Sequence, residues 1–386
     1  MIKFSKYEYT SNTFLLITGV LFLGIMLRLL VSLIGYNYDF KSYLIVGDIV
    51  SHGKNVYVET TRYNYAFIFS WILGFFYWIS MFFGQFQIFI YRYLIIVVLT
   101  LSDIGIFYFI FKNGNIKLAI LFFLNPISII ITGYHNQFDN IAVLLSLIAI
   151  QNFEYTGNKF SYKDFLSIFF LSLSLVIKHI LFLFPLWILF SNKLPLKKKL
   201  MYSIIPPIIF LFSFVPFFGN GGLEGILNNV FLYKSYNNSP LIMPFAVIFC
   251  NSIIKNSLFY IFFAFMILFG IIFRKQAIKN LLLFYFLCLV TFSSAVANQY
   301  LAIPLVAVIL LGLGLKYIYS IAIGLYLVFS PDGLNIIQFT NINVGYMQIA
   351  GYTCAVWILL GIIILNLINV FKEKREKLNF IEQGNP

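Results

Sequence analysis

The chain contains 386 residues, of which 61% are hydrophobic and only 10% are charged. A soluble domain carries roughly 25% charged residues, so this composition excludes an ordinary soluble protein and indicates that lipid is the main solvent. The formal net charge of +13 does not indicate nucleic-acid binding, because the lysines lie in short loops between apolar runs, as in the cytoplasmic loops of membrane proteins.

Apolar runs follow one another along almost the whole chain. A helix needs about 20 apolar residues to cross the hydrocarbon core. The runs that reach or approach this length are 13–34, 66–83, 88–111, 118–133, 141–153, 165–177, 180–190, 201–218, 258–273, 281–296, 301–315, 318–330 and 349–371. Run 241–254 is shorter and is a candidate re-entrant segment. The pattern predicts one all-α integral membrane domain over 1–386, a helical bundle with about 12 to 14 crossings.

Basic loops orient the predicted bundle, because Lys and Arg are retained on the cytoplasmic side of a membrane. The predicted cytoplasmic positions are the basic residues within 159–163, 193–199, 274–279, 316 and 372–377. The alternate segments, which are more polar, are then predicted to face outward. They are 36–65, 135–140, 178–179, 218–240, 298–300 and 331–345.

One stretch conflicts with this orientation. Lys112 and Lys117 fall on the outer side if the runs 66–83 and 88–111 both cross, although these lysines look cytoplasmic. Two solutions stay open from the sequence: either 66–83 does not cross simply, or the lysines depart from the rule.

The outward segment 36–65 concentrates charge in an otherwise apolar chain, with Asp39, Lys41, Asp48, His52, Lys54, Glu59 and Arg62. If Asp39 and Asp48 share one helix, nine residues at roughly 100° each place them on opposite sides. They are therefore not expected to form a paired-carboxylate site. Asp39 is a candidate single general base at the membrane edge, and the alternative is a helix cap or a solvated interfacial acid.

Two charged residues, Arg92 and Asp103, lie inside the apolar run 88–111. Charges at such positions are costly and are usually functional or paired. Eleven residues of helix separate them by about 16 Å, so they cannot form one salt bridge. Pairing with neighbouring helices and a role in substrate binding both stay open.

The segment 135–140 places five hydrogen-bonding side chains within six residues: His135, Asn136, Gln137, Asp139 and Asn140. His135 and Asp139 are four residues apart and share a face if the segment is helical. This is more polar capacity than a turn needs, which predicts a site. Asp139 alone also fits a helix N-cap.

The dipeptide Lys178-His179 interrupts a hydrophobic hairpin, and no acidic residue lies near it in the sequence. An unpaired cation at the membrane surface suits a phosphate group. The alternative is a lysine whose ammonium group reaches the interface while its stem stays in the apolar layer.

Taken in order, these pieces resemble the GT-C superfamily of polytopic glycosyltransferases, and within it the lipid-phosphate-sugar glucosyltransferases of the dolichyl-phosphate-glucose α-1,3 type and their bacterial relatives. The matching pieces are Asp39 in the first outward loop, Asp103, the HNQFD sequence 135–139 and the KHI sequence 178–180. The family's Tyr-Pro-Pro-like motif has no prolines here after Tyr65. Residues 298–300 (Asn-Gln-Tyr) stand where the family has a late His-Glu pair, and the motifs match best over 36–185.

The resemblance implies a GT-C-like catalytic module over 1–192 with an outward loop at 35–66, variable transmembrane helices over 193–371 and a cytoplasmic tail at 372–386. It implies that Asp39 is the catalytic base and that Lys178 and His179 bind the donor phosphate, supported by His135 and Gln137. The implied substrate-binding residues are Tyr65, Arg62, Asp139, Gln299 and Tyr300.

The implied reaction is inverting transfer of a sugar from a polyprenyl- or dolichyl-phosphate donor to an acceptor glycan or glycolipid on the outer face of the membrane. Composition favours a bacterial cytoplasmic membrane, with the endoplasmic reticulum as the eukaryotic equivalent, and an active site facing the periplasm, exterior or lumen. No cofactor is expected: the three cysteines are isolated and no metal-ligand motif occurs, although a divalent metal held through the lipid phosphate stays open. No nucleic-acid partner is expected.

Two other functions stay open. A flippase for lipid-linked sugars is a transporter, and transporters often show broken helices with polar groups near mid-membrane. An oligosaccharide polymerase or ligase would be expected to carry arginines in a large outward loop, whereas the loop 218–240 contains none. The clustering of polar groups on one predicted side favours the transferase.

Overall fold

The computed structural model describes residues 11–153, 160–233, 239–242, 252–336 and 344–383. Within these ranges the chain forms helices and no β-strand, which confirms the predicted all-α class. The candidate re-entrant run 241–254 lies mostly outside the described residues.

The helices are numbered here in chain order. The first part of the chain forms α1 (Ser11–Ile34), α2 (Tyr38–Ser51), α3 (Val56–Glu59), α4 (Phe67–Met81), α5 (Gln87–Asn113), α6 (Ile116–Phe123), α7 (Pro126–Ile130), α8 (Asp139–Gln151), α9 (Tyr162–Ile177) and α10 (Phe184–Phe190). The second part forms α11 (Leu196–Phe212), α12 (Gly222–Ile226), α13 (Ser252–Phe273), α14 (Ile278–Thr291), α15 (Leu305–Leu311), α16 (Leu315–Phe329) and α17 (Val344–Gln383).

The described residues contain four helical segments that are long and apolar enough to cross a membrane: Asn12–Ile34, Gly84–Asn113, Leu196–Phe217 and Gly345–Lys372. Two bent helix pairs raise this number to six if each pair is one span. The chain is therefore a membrane-embedded helical protein, and the part that the structure describes has four to six candidate spans, compared with the 12 to 14 crossings expected for the whole chain. Several other apolar runs form helices of 10–17 residues, about 15–26 Å long, which is less than the hydrocarbon core of about 30 Å.

Local sequence explains both bends. The 41° bend between Ile116–Phe123 and Pro126–His135 lies at Asn125, where proline keeps the preceding residue out of the helical region and the Asn125 Oδ1 accepts a hydrogen bond from the Ile127 N–H at 3.1 Å. The 114° bend between Tyr162–Ile177 and His179–Phe190 lies at Lys178, whose backbone is extended. The second bend therefore places the Lys178-His179 dipeptide at a corner of the chain.

Helix α4 begins and ends at the same end of the bundle. Tyr65, just before α4, contacts the Lys178 ammonium and the Phe138 ring. After α4 the chain enters α5, and Arg92 in the second turn of α5 donates hydrogen bonds to the backbone carbonyls of Gly35 and Gly133. The far end of α5 holds Asn113, which accepts a hydrogen bond from Lys279 at 3.0 Å. Lys112 thus lies near Lys279, one of the residues predicted to be cytoplasmic, and this favours the first solution above, in which 66–83 does not cross simply.

An aromatic stripe runs along the exposed side of α4, while its other side packs on α2. Trp71, Phe75, Trp78 and Phe82 are 50–74% exposed and recur at helical spacing. On the opposite side Leu73 is fully buried. An apolar face of this kind on a helix too short to cross fits a helix that lies along the bilayer surface, where tryptophan is enriched.

We expect Trp71 and Trp78 to lie at equal depth in a bilayer. The chain has four tryptophans, so variants that keep one of them, with the others changed to phenylalanine, can be compared by fluorescence quenching with brominated lipids. If α4 crossed, seven residues of helix would separate the two indoles by about 10 Å in depth, and unequal quenching by lipids brominated at one depth would contradict the interfacial placement. Trp357, 47% exposed on α17, serves as the lipid-facing reference.

A buried ionic network joins α1, α5 and the two turns before α8. Arg28 forms an ion pair with Asp103 at 2.9 Å, and both side chains are fully buried. The Asp103 Oδ2 also accepts hydrogen bonds from Ser128 and Thr132, while its Oδ1 accepts one from Asn140 at 2.6 Å. Of the two roles left open for Asp103, the structure shows pairing with neighbouring helices.

Arg92 has a structural role of a different kind. It donates hydrogen bonds to the backbone carbonyls of Ser32, Gly35 and Gly133 and to the side-chain oxygen of Asn136. These acceptors lie at the C-terminal end of α1 and in the turn that precedes α8. Arg92 therefore fixes the segments that carry the polar residues 36–39 and 134–137, and it forms no salt bridge with Asp103, as expected.

Candidate functional site

The segments predicted to face outward meet at one end of the bundle. A polar cavity of about 400 Å³ forms there between five separate parts of the chain. Its lining residues are Tyr36, Asn37, Tyr38, Asp39, Tyr134, Ala297, Asn298, Gln299, Pro331, Asp332 and Tyr352. Residues more than 300 positions apart, Tyr36 and Tyr352, thus share one cavity, which agrees with the predicted grouping of the polar segments on one side.

Asp39 lies in the first turn of α2 and faces this cavity. The helix cap is Asn37, whose side-chain oxygen accepts a hydrogen bond from the Asp39 N–H at 2.6 Å. The Asp39 carboxylate instead accepts a hydrogen bond from Gln137 Nε2 at 2.5 Å. The Gln137 Oε1 in turn accepts one from Tyr43 at 3.3 Å. Asp39 is therefore neither the cap nor a freely solvated acid, but a partly buried carboxylate held by a buried amide.

The surroundings of Asp39 tune its proton affinity. Burial raises the pKa of Asp39 above its ordinary value, because the charged form loses solvation. The positive charge of Lys178 and the hydrogen bond from Gln137 act in the opposite direction and keep part of the charged form stable. This combination suits a general base, which must be ionised yet able to take a proton.

His135 orients the start of α2. Its Nδ1 lies 2.7 Å from Asn37 Nδ2, and its side chain is fully buried. Because the Asn37 oxygen already accepts from the Asp39 N–H, the Asn37 amide nitrogen is the donor and His135 Nδ1 is the acceptor. His135 is therefore neutral with its proton on Nε2. His135 contacts Asn37, and Gln137 contacts Asp39. The two residues predicted to support phosphate binding therefore both lie beside the start of α2.

A second cavity of about 480 Å³ lies next to the first and is mainly apolar. Lys178, His179, Tyr65 and Tyr300 form its polar end. The rest of its wall comes from α11, α13 and α14 and from the segments 180–183, 230–233 and 293–303, and it includes Phe182, Phe210, Phe231, Phe259, Phe262, Phe263 and Leu289. This cavity offers an apolar volume that ends at a cation.

Lys178 is not the unpaired cation that the sequence suggested. Its ammonium lies 2.6 Å from the Asp139 carboxylate, and the two side chains are 3% and 0% exposed. It also lies over the rings of Phe138 and Tyr65, at 4.5 and 5.1 Å from their centroids. Sequence inspection missed the partner because Asp139 is 39 residues away in the chain. Within the described residues, His179 Nδ1 and Asp139 Oδ1 have no hydrogen-bond partner.

The two cavities share no lining residue, and the side chains between them are called the partition below. Neighbouring residues of the chain face opposite sides of it: Gln299 lines the polar cavity and Tyr300 lines the apolar one. In the same way, Gln137 contacts Asp39 while Asp139 contacts Lys178. Asp39 and the Lys178-His179 corner thus lie at the same end of the bundle, on opposite sides of the partition.

The remaining predicted substrate residue, Arg62, lies outside both cavities. Its side chain is exposed and its guanidinium group stacks over the ring of Tyr38, 4.9 Å from the centroid. Because Tyr38 lines the polar cavity, Arg62 lies at the rim of that cavity.

Sequence inspection missed a polar network in the wall of the polar cavity. The Asn298 side-chain oxygen accepts hydrogen bonds from Tyr326 and Tyr352, and its nitrogen donates to the Asp332 carbonyl at 3.2 Å. The network fixes Gln299 and Asp332 relative to each other. Asp332 was detectable, because it is one of only 13 acidic residues and lies in a segment predicted to face outward.

Neither metal geometry nor similarity to known proteins defines this site further. Among the residues that the structure describes, no group of three or more His, Cys, Asp or Glu is placed to hold a metal ion. Comparison of the chain with protein-family models, with curated proteins and with solved structures gives no match.

Proposed function

We propose that this chain is an inverting GT-C-type membrane glycosyltransferase. It moves a sugar from a polyprenyl- or dolichyl-phosphate donor to an acceptor glycan or glycolipid. The observation that carries the proposal is the partly buried Asp39 carboxylate in a polar cavity, one partition away from an apolar cavity that ends at Lys178 and His179. A hydroxyl nucleophile suits the polar cavity, and a leaving group attached to a lipid suits the apolar cavity.

The apolar cavity suits the lipid-phosphate donor. Its aromatic wall would hold the first part of the lipid, and the phosphate would lie at the Lys178-His179 corner. Lys178 has three N–H donors, of which the Asp139 carboxylate engages one side. The remaining donors and the His179 ring can bind phosphate oxygens, and they bind more strongly as the leaving group gains charge, which is what accelerates the step.

The polar cavity suits the acceptor. Asp39 would take the proton from an acceptor hydroxyl while that oxygen attacks the anomeric carbon. The bond from that carbon to the phosphate oxygen then breaks, and the electron pair leaves with the lipid phosphate. The acceptor oxygen attacks the anomeric carbon from the side of the polar cavity, and the lipid phosphate departs on the side of the apolar cavity. The configuration at the anomeric carbon is therefore inverted. Transfer requires the partition to open at Gln299 and Tyr300, the neighbouring side chains that line the two cavities.

The proposed location follows from charge. Lys279 lies beside Asn113 at the end of the bundle opposite Asp39, where the positive-inside rule places the cytoplasm. The Asp39 end would then face the periplasm or exterior in a bacterial cytoplasmic membrane.

The test is a reconstituted assay with a panel of radiolabelled polyprenyl-phosphate sugars in proteoliposomes. Label on the acceptor supports the transferase. Movement of the donor across the bilayer without transfer indicates a flippase, and products of increasing length indicate a polymerase. Either of the last two results, without single-sugar transfer from any donor, overturns the proposal.

A further inference from the structure

We infer that the polar cavity selects its ligand by charge: it takes an uncharged, hydroxyl-rich sugar ring, and Asp332 is the residue that excludes anionic sugars. The inference rests on the proposed function, whose acceptor it defines by chemical class. It concerns a residue with no role in the proposed transfer step.

The lining of the cavity has the chemistry of a carbohydrate site. Tyr36 and Tyr38 are 43% and 60% exposed and present aromatic surface, against which the C–H face of a sugar ring can pack. The amides of Asn37 and Gln299 and the carboxylates of Asp39 and Asp332 supply hydrogen-bonding groups for hydroxyls. The volume of about 400 Å³ is at the small end of the range of roughly 300–1,000 Å³ for small-molecule sites.

The charge of the lining excludes an anion. Two carboxylates line the cavity, and none of its lining residues is Lys, Arg or His. Two cations that the structure describes behind the cavity have their N–H groups in use: Arg92 donates to three backbone carbonyls and to Asn136, and Lys178 pairs with Asp139. Arg62 stacks on Tyr38 outside the lining. A uronic acid or a sugar phosphate would therefore meet two carboxylates in the lining and no cationic side chain among the lining residues to bind it.

Asp332 is suited to this role because its backbone is fixed while its side chain is exposed. The Asp332 carbonyl accepts a hydrogen bond from buried Asn298, and the next backbone N–H, from Gly333, bonds to the Ser330 carbonyl at 2.9 Å. The loop is thus held against the end of α16. Asp39 has a partner in Gln137 and a role in the proposed reaction, whereas the exposed Asp332 carboxylate contributes its charge and its hydrogen-bonding oxygens to the cavity without a role in the transfer step.

The experiment measures binding directly, by saturation-transfer NMR on the reconstituted protein. The probes are neutral methyl glycosides of glucose, galactose and mannose and the corresponding methyl uronates. We expect wild type to prefer the neutral probes, and Asp332→Asn to reduce that preference roughly tenfold, the scale of one charge at a partly solvated site. High salt should weaken the preference more in wild type, which has two lining carboxylates, than in the variant, which keeps only Asp39.

Asp48→Asn is the matched control. It removes the same charge from α2, but Asp48 is 53% exposed, pairs with His52 and lines neither cavity. Equal binding of neutral and anionic probes, binding of none of them, or an equal effect of the two variants overturns the inference. Selective binding of neutral sugars without transfer from any lipid donor would remove the proposed function and leave the inference standing. Transfer to neutral and anionic acceptors at equal rates would support the proposed function and overturn the inference about Asp332.

Discussion

Replacing Asp39 with asparagine should lower sugar transfer by about 10³-fold, within the range that a positioned general base contributes. Asparagine has the same shape and keeps one oxygen that can accept the hydrogen bond from Gln137, the partner that Asp39 has in the structure. The fold and donor binding should therefore persist while the proton acceptor is lost. Transfer rate, donor binding and thermal unfolding measured on the same preparation separate these effects.

The dependence of the transfer rate on pH provides a second test of Asp39 as the general base. A general base works only when ionised, and burial raises the pKa of Asp39. Transfer should therefore fall as the pH is lowered through that raised value, at a higher pH than for an ordinary aspartate of pKa about 3.9. Gln137→Met removes a hydrogen bond that stabilises the charged form, so the acid limb should move to still higher pH, a shift that a purely structural role of Gln137 would not produce.

Asp48→Asn again provides the control, since it changes an exposed acid on the same helix and should leave both rate and profile unchanged. Transfer by Asp39→Asn at the wild-type rate would remove the mechanism. An acid limb that stays in place in Gln137→Met would show instead that Asp39 is not the group that titrates.

The convergence of the polar segments could be predicted from the sequence because charge orders the loops. The positive-inside rule placed segments 36–65, 135–140, 298–300 and 331–345 on one side, and parts of all four line or border the polar cavity. Asp39 and Gln137 were both singled out although 98 residues separate them. Loop charge carries this information because it acts over the whole membrane and does not depend on how the helices pack.

The pairing of buried charges could not be predicted in the same way. That Asp103 and Lys178 need partners follows from the cost of a lone charge in an apolar interior. Which residue supplies the partner depends on packing between helices, and Arg28 and Asp139 are 75 and 39 residues away. Within the described residues the number of candidate spans is lower than expected for a related reason: hydrophobicity counts apolar residues, but breaks at Asn125 and Lys178 decide whether neighbouring runs form one bent span or two.

The buried Arg28–Asp103 pair leads to the largest expected effect on stability. Every strong contact of Asp103 in the structure is one in which a carboxylate oxygen accepts: Oδ2 from Arg28, Ser128 and Thr132, and Oδ1 from Asn140. Asp103→Asn preserves the shape of the side chain, but its NH₂ group must face either the donors at the Oδ2 position or the Asn140 donor at the Oδ1 position. Two donors then face each other without an acceptor. We expect it to cost about 3–5 kcal/mol, as for a buried ion pair that loses one partner.

A double-variant cycle separates the pair from the loss of packing. Arg28→Met and Asp103→Leu each leave one buried charge without its partner, whereas the double variant removes both charges. The double variant should therefore be less destabilised than the sum of the single variants. Unfolding in detergent measures the three free energies, and strict additivity would contradict the coupling. Asp39→Asn is the matched comparison for Asp103→Asn: the same chemical change, at a carboxylate with one hydrogen-bond partner in the structure instead of four, should cost little stability while it abolishes transfer.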